Sequence, residues 1–175
     1  MDITDVILND HHDQRRMFAI LEEMRGESAE DLAAVWERLH ILLEVHAKAE
    51  EELFYPELLA LGKGEGGKDS AEDETTDAIH DHNEIRDALA DVGKHTAGSD
   101  GWWSAVAKVN EVNSEHMGEE EREGLTDFRL HADLDLRHKL AVSFYAFEAA
   151  HAGGIESRDV DPEEYVEQNE APAGS

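Results

Sequence analysis

Residues 35–53, VWERLHILLEVHAKAEEEL, decide the fold. An α-helix turns about 100° per residue, so positions three and four apart share a face. On that spacing Val35, Leu39, Leu42, His46 and Leu53 form one stripe, with Glu50 at its edge. His40 and Glu44 point more than about 100° away from His46 by the same geometry. A helix with an apolar face interrupted by a histidine and a glutamate must bury that face against other helices.

The same phrase recurs half a protein further on. Asp10-His11 precedes His46-x-x-x-Glu50, and Asp81-His82 precedes His116-x-x-x-Glu120. His11 and His46 are 35 residues apart and His82 and His116 are 34 apart. A helical hairpin repeated once gives a four-helix bundle. His11 lies near Ile7, Phe18 and Leu21, while His12 turns outward with Arg16. His82 joins Ala78, Ile85 and Leu89, whereas His80 and Glu84 face the other way. His116 aligns with Ala105, Val109 and Val112, with Glu120 one turn on. One histidine per helix therefore points inward. The His-x-x-x-Glu phrase alone carries little weight, because it also occurs at His40/Glu44 and His80/Glu84 in a chain rich in acids. The shared direction of the inner four is what matters.

Around these stripes the chain reads as helical throughout. The first helix is expected over about 4–25, ending at Gly26. The second opens at Ser28 and carries a kink or break near Pro56, since proline removes a helical N–H. GKGEGGKD (62–69) is a loop, and Ser70 opens the third helix, to about Lys94. The fourth begins near Trp102 and Trp103 and continues past Glu120. Leu136, Leu140, Phe144 and Phe147 mark an additional C-terminal helix, about 135–152, that packs on the bundle. Residues 1–152 form the bundle with its packing helix. Residues 153–175 form an acidic tail, in which Asp161-Pro162 caps one helical turn and the remainder is mobile. The three tryptophans read as core or interface, and the adjacent pair cannot both face inward. The fold class is all-α, an up-down four-helix bundle.

Composition narrows the function. In 175 residues there are 43 acidic against 15 basic side chains, a formal charge of −28. Such a chain repels nucleic acid and anionic membranes, so neither is an expected partner. The charge suits a strongly solvated surface screened by counterions. No apolar run spans a bilayer and no basic leader precedes the first helix, so a cytoplasmic location is expected. There is no cysteine, which excludes thiolate chemistry and leaves nitrogen and oxygen to hold any metal. Two glutamates inside a core are costly without compensating positive charge. With no lysine or arginine evident on the inner stripes beside them, cations are the simplest compensation. The candidate ligands are His11, His46, Glu50, His82, His116 and Glu120, four imidazoles and two carboxylates that could share two cations.

The segments DHHDQRRMF (10–18), HAKAEEELFYP (46–56), DHNEIRDAL (81–89) and HMGEEEREGL (116–125) resemble, in order, the four helix signatures of the hemerythrin-like proteins with the HHE cation-binding domain. The resemblance covers about residues 3–125. It implies a non-haem di-iron centre, its two irons sharing an oxo or hydroxo bridge, with the same six residues as ligands. It also implies a protein that reacts with or senses O₂, peroxide or nitric oxide. The alternatives are an iron-binding sensor or store without turnover, or an oxygen-binding carrier. Oxygen-carrying members have two histidines four apart on the third helix, whereas Arg86 stands four after His82. They also place the last carboxylate one residue beyond the position of Glu120. The first departure implies a site with one imidazole fewer, and together they weaken the carrier reading.

Overall fold

The computed structural model of the chain describes residues 1–68 and 70–169. Its helices are α1 (Ile3–Glu23), α2 (Ala29–Ala49), α3 (Tyr55–Leu61), α4 (Ala71–Val92), α5 (Asp100–Arg122), α6 (Gly124–His131), α7 (Leu134–Ala150) and α8 (Pro162–Asn169). Helices α1, α2, α4 and α5 are the four rods of the bundle.

Their starts are set chemically. Ser28, Ser70 and Ser99 each accept a hydrogen bond from a backbone N–H in the first turn, at Asp31, Asp73 and Trp102. Such caps satisfy donors that have no partner within the helix. Gly26, at φ +98°, turns the chain after α1, a backbone conformation that favours glycine.

The expected break near Pro56 takes a specific form. Residues Glu50–Phe54 make a π-helical turn, and Pro56 sits in the first turn of α3, where a missing N–H costs little. The rod therefore continues from α2 into α3 with its register altered just where Glu50 and Glu51 lie.

Most of the buried apolar side chains among the described residues fall into two clusters. One contains Ile7, Phe54, Leu58, Ile79, Phe128 and Phe144. The other contains Phe18, Leu39, Leu43, Ile85, Trp102 and Val109. On every rod the inner histidine stands between them: Ile7 and Phe18 flank His11, Leu43 and Phe54 flank His46, Ile79 and Ile85 flank His82, and Val112 and Leu125 flank His116. The bundle thus has two greasy halves separated by one polar layer.

The remaining elements close the ends and one side. Helix α7 lies against α1 and α2, with Phe144 fully buried, as the spacing of its apolar residues predicts. Trp102 is buried, and Trp103 lies beside it with the Arg25 guanidinium 4.2 Å from its ring centre, so the pair divides between inside and outside. The tail differs from its expected mobility. Asp161 caps a helix of two turns, α8, which packs on α4 and buries Tyr165 and Val166. Asn83 anchors the preceding strand of chain by donating to the Val160 carbonyl at 2.7 Å and accepting from its N–H at 3.1 Å. The Tyr165 hydroxyl donates to the Glu51 carbonyl. Residues 170–175, also expected to be mobile, lie outside the described residues.

Candidate metal centre

All six predicted side chains meet in the polar layer, and none is more than 5% exposed. The Nε2 of His46 lies 2.9 Å from Oε1 of Glu50, and the Nε2 of His82 lies 3.3 Å from its Oε2. The Nε2 atoms of His82 and His116 are 3.2 Å apart. The Nε2 of His11 is 3.3 Å from Oε2 of Glu120. Donor atoms bound side by side to one cation at about 2.1 Å stand about 3 Å apart, and these separations match that edge length.

Two groups of three emerge, His11 with His46 and Glu50, and Glu50 with His82 and His116, each with donor atoms within 4.8 Å of one another. Glu50 belongs to both. Buried polar atoms ordinarily find a hydrogen bond. Here Nε2 of His11 and His46, both Glu50 oxygens and Oε2 of Glu120 have none. Five orphaned ligand-type atoms aimed at one point fit a cation site.

The outer nitrogens are held as carefully as the inner ones are left free. Nδ1 of His46 faces Asp10 at 3.3 Å, and Nδ1 of His116 faces Asp81 at 3.5 Å. Nδ1 of His82 faces Glu51 at 3.1 Å, and Nδ1 of His11 faces Glu121 at 3.0 Å. A carboxylate on the far nitrogen fixes the tautomer and ring orientation of a metal-binding histidine. The internal repeat explains the pattern. Each aspartate serves the histidine on the second rod of its own hairpin, while Glu51 and Glu121 serve the first rod of the other hairpin. Arg86, four after His82, contacts Glu51, and Arg15, four after His11, contacts Glu121 at 2.8 Å.

Contrary to the expectation that no arginine lies on the inner stripes near the glutamates, Arg86 is buried beside the site. Its partner is Glu51, however, so Glu50 and Glu120 still lack a lysine or arginine. The structure also separates the adjacent acids of α5, bringing Glu120 inward while Glu121 stays partly exposed on the rim.

Electrostatics follow from this arrangement. Burial disfavours charge on His82, but Glu50 and Glu51 outweigh it and raise the imidazole to about 9. His46 is likewise raised well above its ordinary value, against its burial, by Glu50 and Asp10. Burial opposes ionisation of Glu51, yet His82 and Arg86 hold it down to about 2. The imidazole of His11, aided by Arg15, holds Glu121 at about 2 despite its partial burial. The centre is therefore built to hold positive charge, as protons or as cations.

Two side chains escaped the sequence reading. Tyr55 is fully buried; its hydroxyl donates to Oε1 of Glu120 at 2.9 Å and lies 3.4 Å from Nε2 of His82. It stands five residues after Glu50 and reaches the centre because the π-helical turn shifts the register between them. Glu148 of α7 forms a third acidic group with Asp10 and His46, and burial with Asp10 pushes its carboxyl to about 7. Phe144 packs edge-on against the His46 ring, 5.9 Å between centres.

Comparison with known proteins agrees with this picture. A hemerythrin HHE cation-binding domain model matches residues 2–125. A crystal structure of a hemerythrin HHE cation-binding-domain-containing protein from Mycobacterium kansasii superposes with a TM-score of 0.68 at 19% identity, over 95% of this chain and 98% of that one. No curated protein sequence matches significantly. The four-helix frame, the convergent histidines and the matched residues together place the chain in the hemerythrin HHE cation-binding domain family.

Proposed function

We propose that this chain holds a non-haem di-iron centre that reacts with or senses O₂, peroxide or nitric oxide. The observation that carries the reading is Glu50, a buried carboxylate with no hydrogen bond, one oxygen facing His46 and the other His82. Such a group suits a bridge between two cations. His11, His46 and Glu120 would hold one and His82 and His116 the other, with Tyr55 adjacent to both Glu120 and His82. Nitrogen and carboxylate donors in this ratio suit iron. When bound, an iron pair supplies redox chemistry toward small oxygen and nitrogen species.

The chain's own residues do the rest. The four carboxylates on the Nδ1 atoms keep each imidazole in one tautomer and strengthen it as a donor. Tyr55 holds a proton at Oε1 of Glu120. The apolar clusters on either side exclude bulk water, which strengthens every charge interaction inside. Arg86 takes the α4 position where a carrier has a further histidine, and its side chain is committed to Glu51. That favours a reactive or sensing centre over reversible carriage of oxygen.

The test is anaerobic loading with Fe²⁺, metal analysis and optical spectra on adding O₂, peroxide or nitric oxide. Two irons per chain and a spectral change that Glu50→Ala abolishes support the reading. Two bound irons that remain spectrally silent toward all three would refute the reactivity. Tight burial of the centre favours one second reading, a store or sensor without turnover. Negligible peroxide consumption beside a large metal-dependent gain in stability would select it.

A further inference from the structure

Between α4 and α5 a narrow cleft runs from the surface to the centre. Tyr55, His116 and Glu120 form its floor, and its free volume is about 20 Å³, enough for one water-sized body. Its mouth is acidic, with Asp77 on α4 and Glu119 and Glu123 at the end of α5. Glu74, 4% exposed, also lines it; its Oε1 accepts from the Glu65 N–H at 2.7 Å, while its Oε2 has no donor and its carboxyl lies beside that of Asp127. Oε2 of Glu120, on the floor, has none either. Carboxylates therefore line the cleft from its mouth to the ligands, and the Glu120 oxygen at the bottom is unpartnered. Lys68, on the glycine-rich loop, spans the mouth between Asp77 and Glu123, contacting the first and lying 3.8 Å from the second. A side-chain ammonium thus sits where an arriving cation would first be held.

We propose that this cleft is the route by which a divalent transition-metal cation, shedding its water, reaches the centre, and that the charges at its mouth set the rate of loading. The proposal rests on the metal-centre reading for its destination. Aligned carboxylates concentrate cations and replace hydration oxygens one at a time, so a cation need not be stripped bare before it meets a ligand. The same rim repels anions, and the narrowness excludes chelated metal.

The test is stopped-flow uptake of Co²⁺ by metal-free full-length protein at 0.1 M ionic strength, read from the visible absorbance of the bound ion. Co²⁺ reports loading without any reaction with oxygen species. Asp77→Asn/Glu119→Gln should slow uptake about 10-fold and leave the final stoichiometry unchanged. Lys68→Met should speed uptake. A charge-matched control, Glu23→Gln/Glu27→Gln, lies at the far end of α1, about 18 Å along the rod from His11. Charges beyond about 10 Å are screened at this salt, so the control should load at close to the wild-type rate. Wild-type rates in either mouth variant, or equal slowing by the control, would overturn the route. Wild-type protein that takes up no Co²⁺ would instead overturn the centre itself, which separates the two failures.

Discussion

Glu51→Gln separates the two jobs that one carboxylate performs. Glu51 is 3% exposed and accepts from Nδ1 of His82 at 3.1 Å while meeting the Arg86 guanidinium and, at 3.3 Å, the Lys48 ammonium. Glutamine keeps the shape and one carbonyl acceptor but removes the charge. Loss of the charged partner on a ligating histidine weakens metal binding by about 10- to 100-fold, or about 1.4–2.8 kcal/mol. Metal-free stability should also fall, by about 3 kcal/mol, because Arg86 is left buried without its counter-charge. For a domain of this size that lowers Tm by about 6–12 °C. Arg86→Met in the same background should recover part of the stability, since no unpaired charge remains, and none of the affinity. The assays are competition against a chelator for Kd and thermal melts for stability, with the neighbouring exposed Glu52→Gln as control. If Glu51→Gln lowers Tm while Kd stays within about twofold of wild type, Glu51 only neutralises Arg86 and the orienting role is refuted. By the internal repeat, Glu121→Gln should weaken binding through His11 with a smaller melting cost, because Arg15 and Glu121 are 38% and 28% exposed.

Metal-free protein should lose stability steadily as pH rises from about 4.5 to 9. Glu74 and Glu148, both raised to about 7, contribute stability that is lost as pH climbs from the unfolded carboxylate value through 7. His82 contributes stability that is fully present below 6.5 and lost as pH passes 9. Melting temperatures of metal-free protein across that range check the sign, and a rising Tm would contradict it. On the acid side, Glu51 and Glu121 lose their contribution between the unfolded carboxylate value and about 2. Metal at about 100-fold over Kd should add about 2.7 kcal/mol, and a chelator should reverse it; calorimetry showing no such difference would refute binding to the folded state. Tyr165→Phe should cost about 1 kcal/mol by removing the bond to the Glu51 carbonyl, read in urea unfolding, where an unchanged midpoint would show that α8 does not brace the π-helical turn.

The inner histidines were legible in the sequence because helical geometry is rigid. A stripe such as Ala105, Val109, Val112 and His116 admits one direction only, and four such stripes in matched register give a bundle. The carboxylates behind the histidines were not legible for the same reason. Asp10, Glu51, Asp81 and Glu121 each adjoin a centre-facing residue and so lie about 100° off its stripe, where a single helix viewed alone assigns them to solvent. Only the neighbouring rod reveals that this direction meets an Nδ1. Arg86 does lie on the His82 stripe, but its burial depends on Glu51 coming from another helix. Tyr55 was hidden by the break expected at Pro56, because a π-helical turn carries no signature in apolar spacing. Helix α6 was likewise not distinguished from the fourth rod, which was expected simply to continue past Glu120, although Asp127 there is fully buried and accepts from the N–H groups of Lys63 and Gly64.

The crossed service of Glu51 and Glu121 has a consequence for assembly. Each hairpin carries the counterpart that steadies an imidazole on its sibling, so neither half owns a finished set of donors. A cation offered to a lone hairpin finds one steadied imidazole and one that swings. Ion capture should therefore trail the docking of the two halves, making the metal a late rivet and not the seed around which the chain gathers.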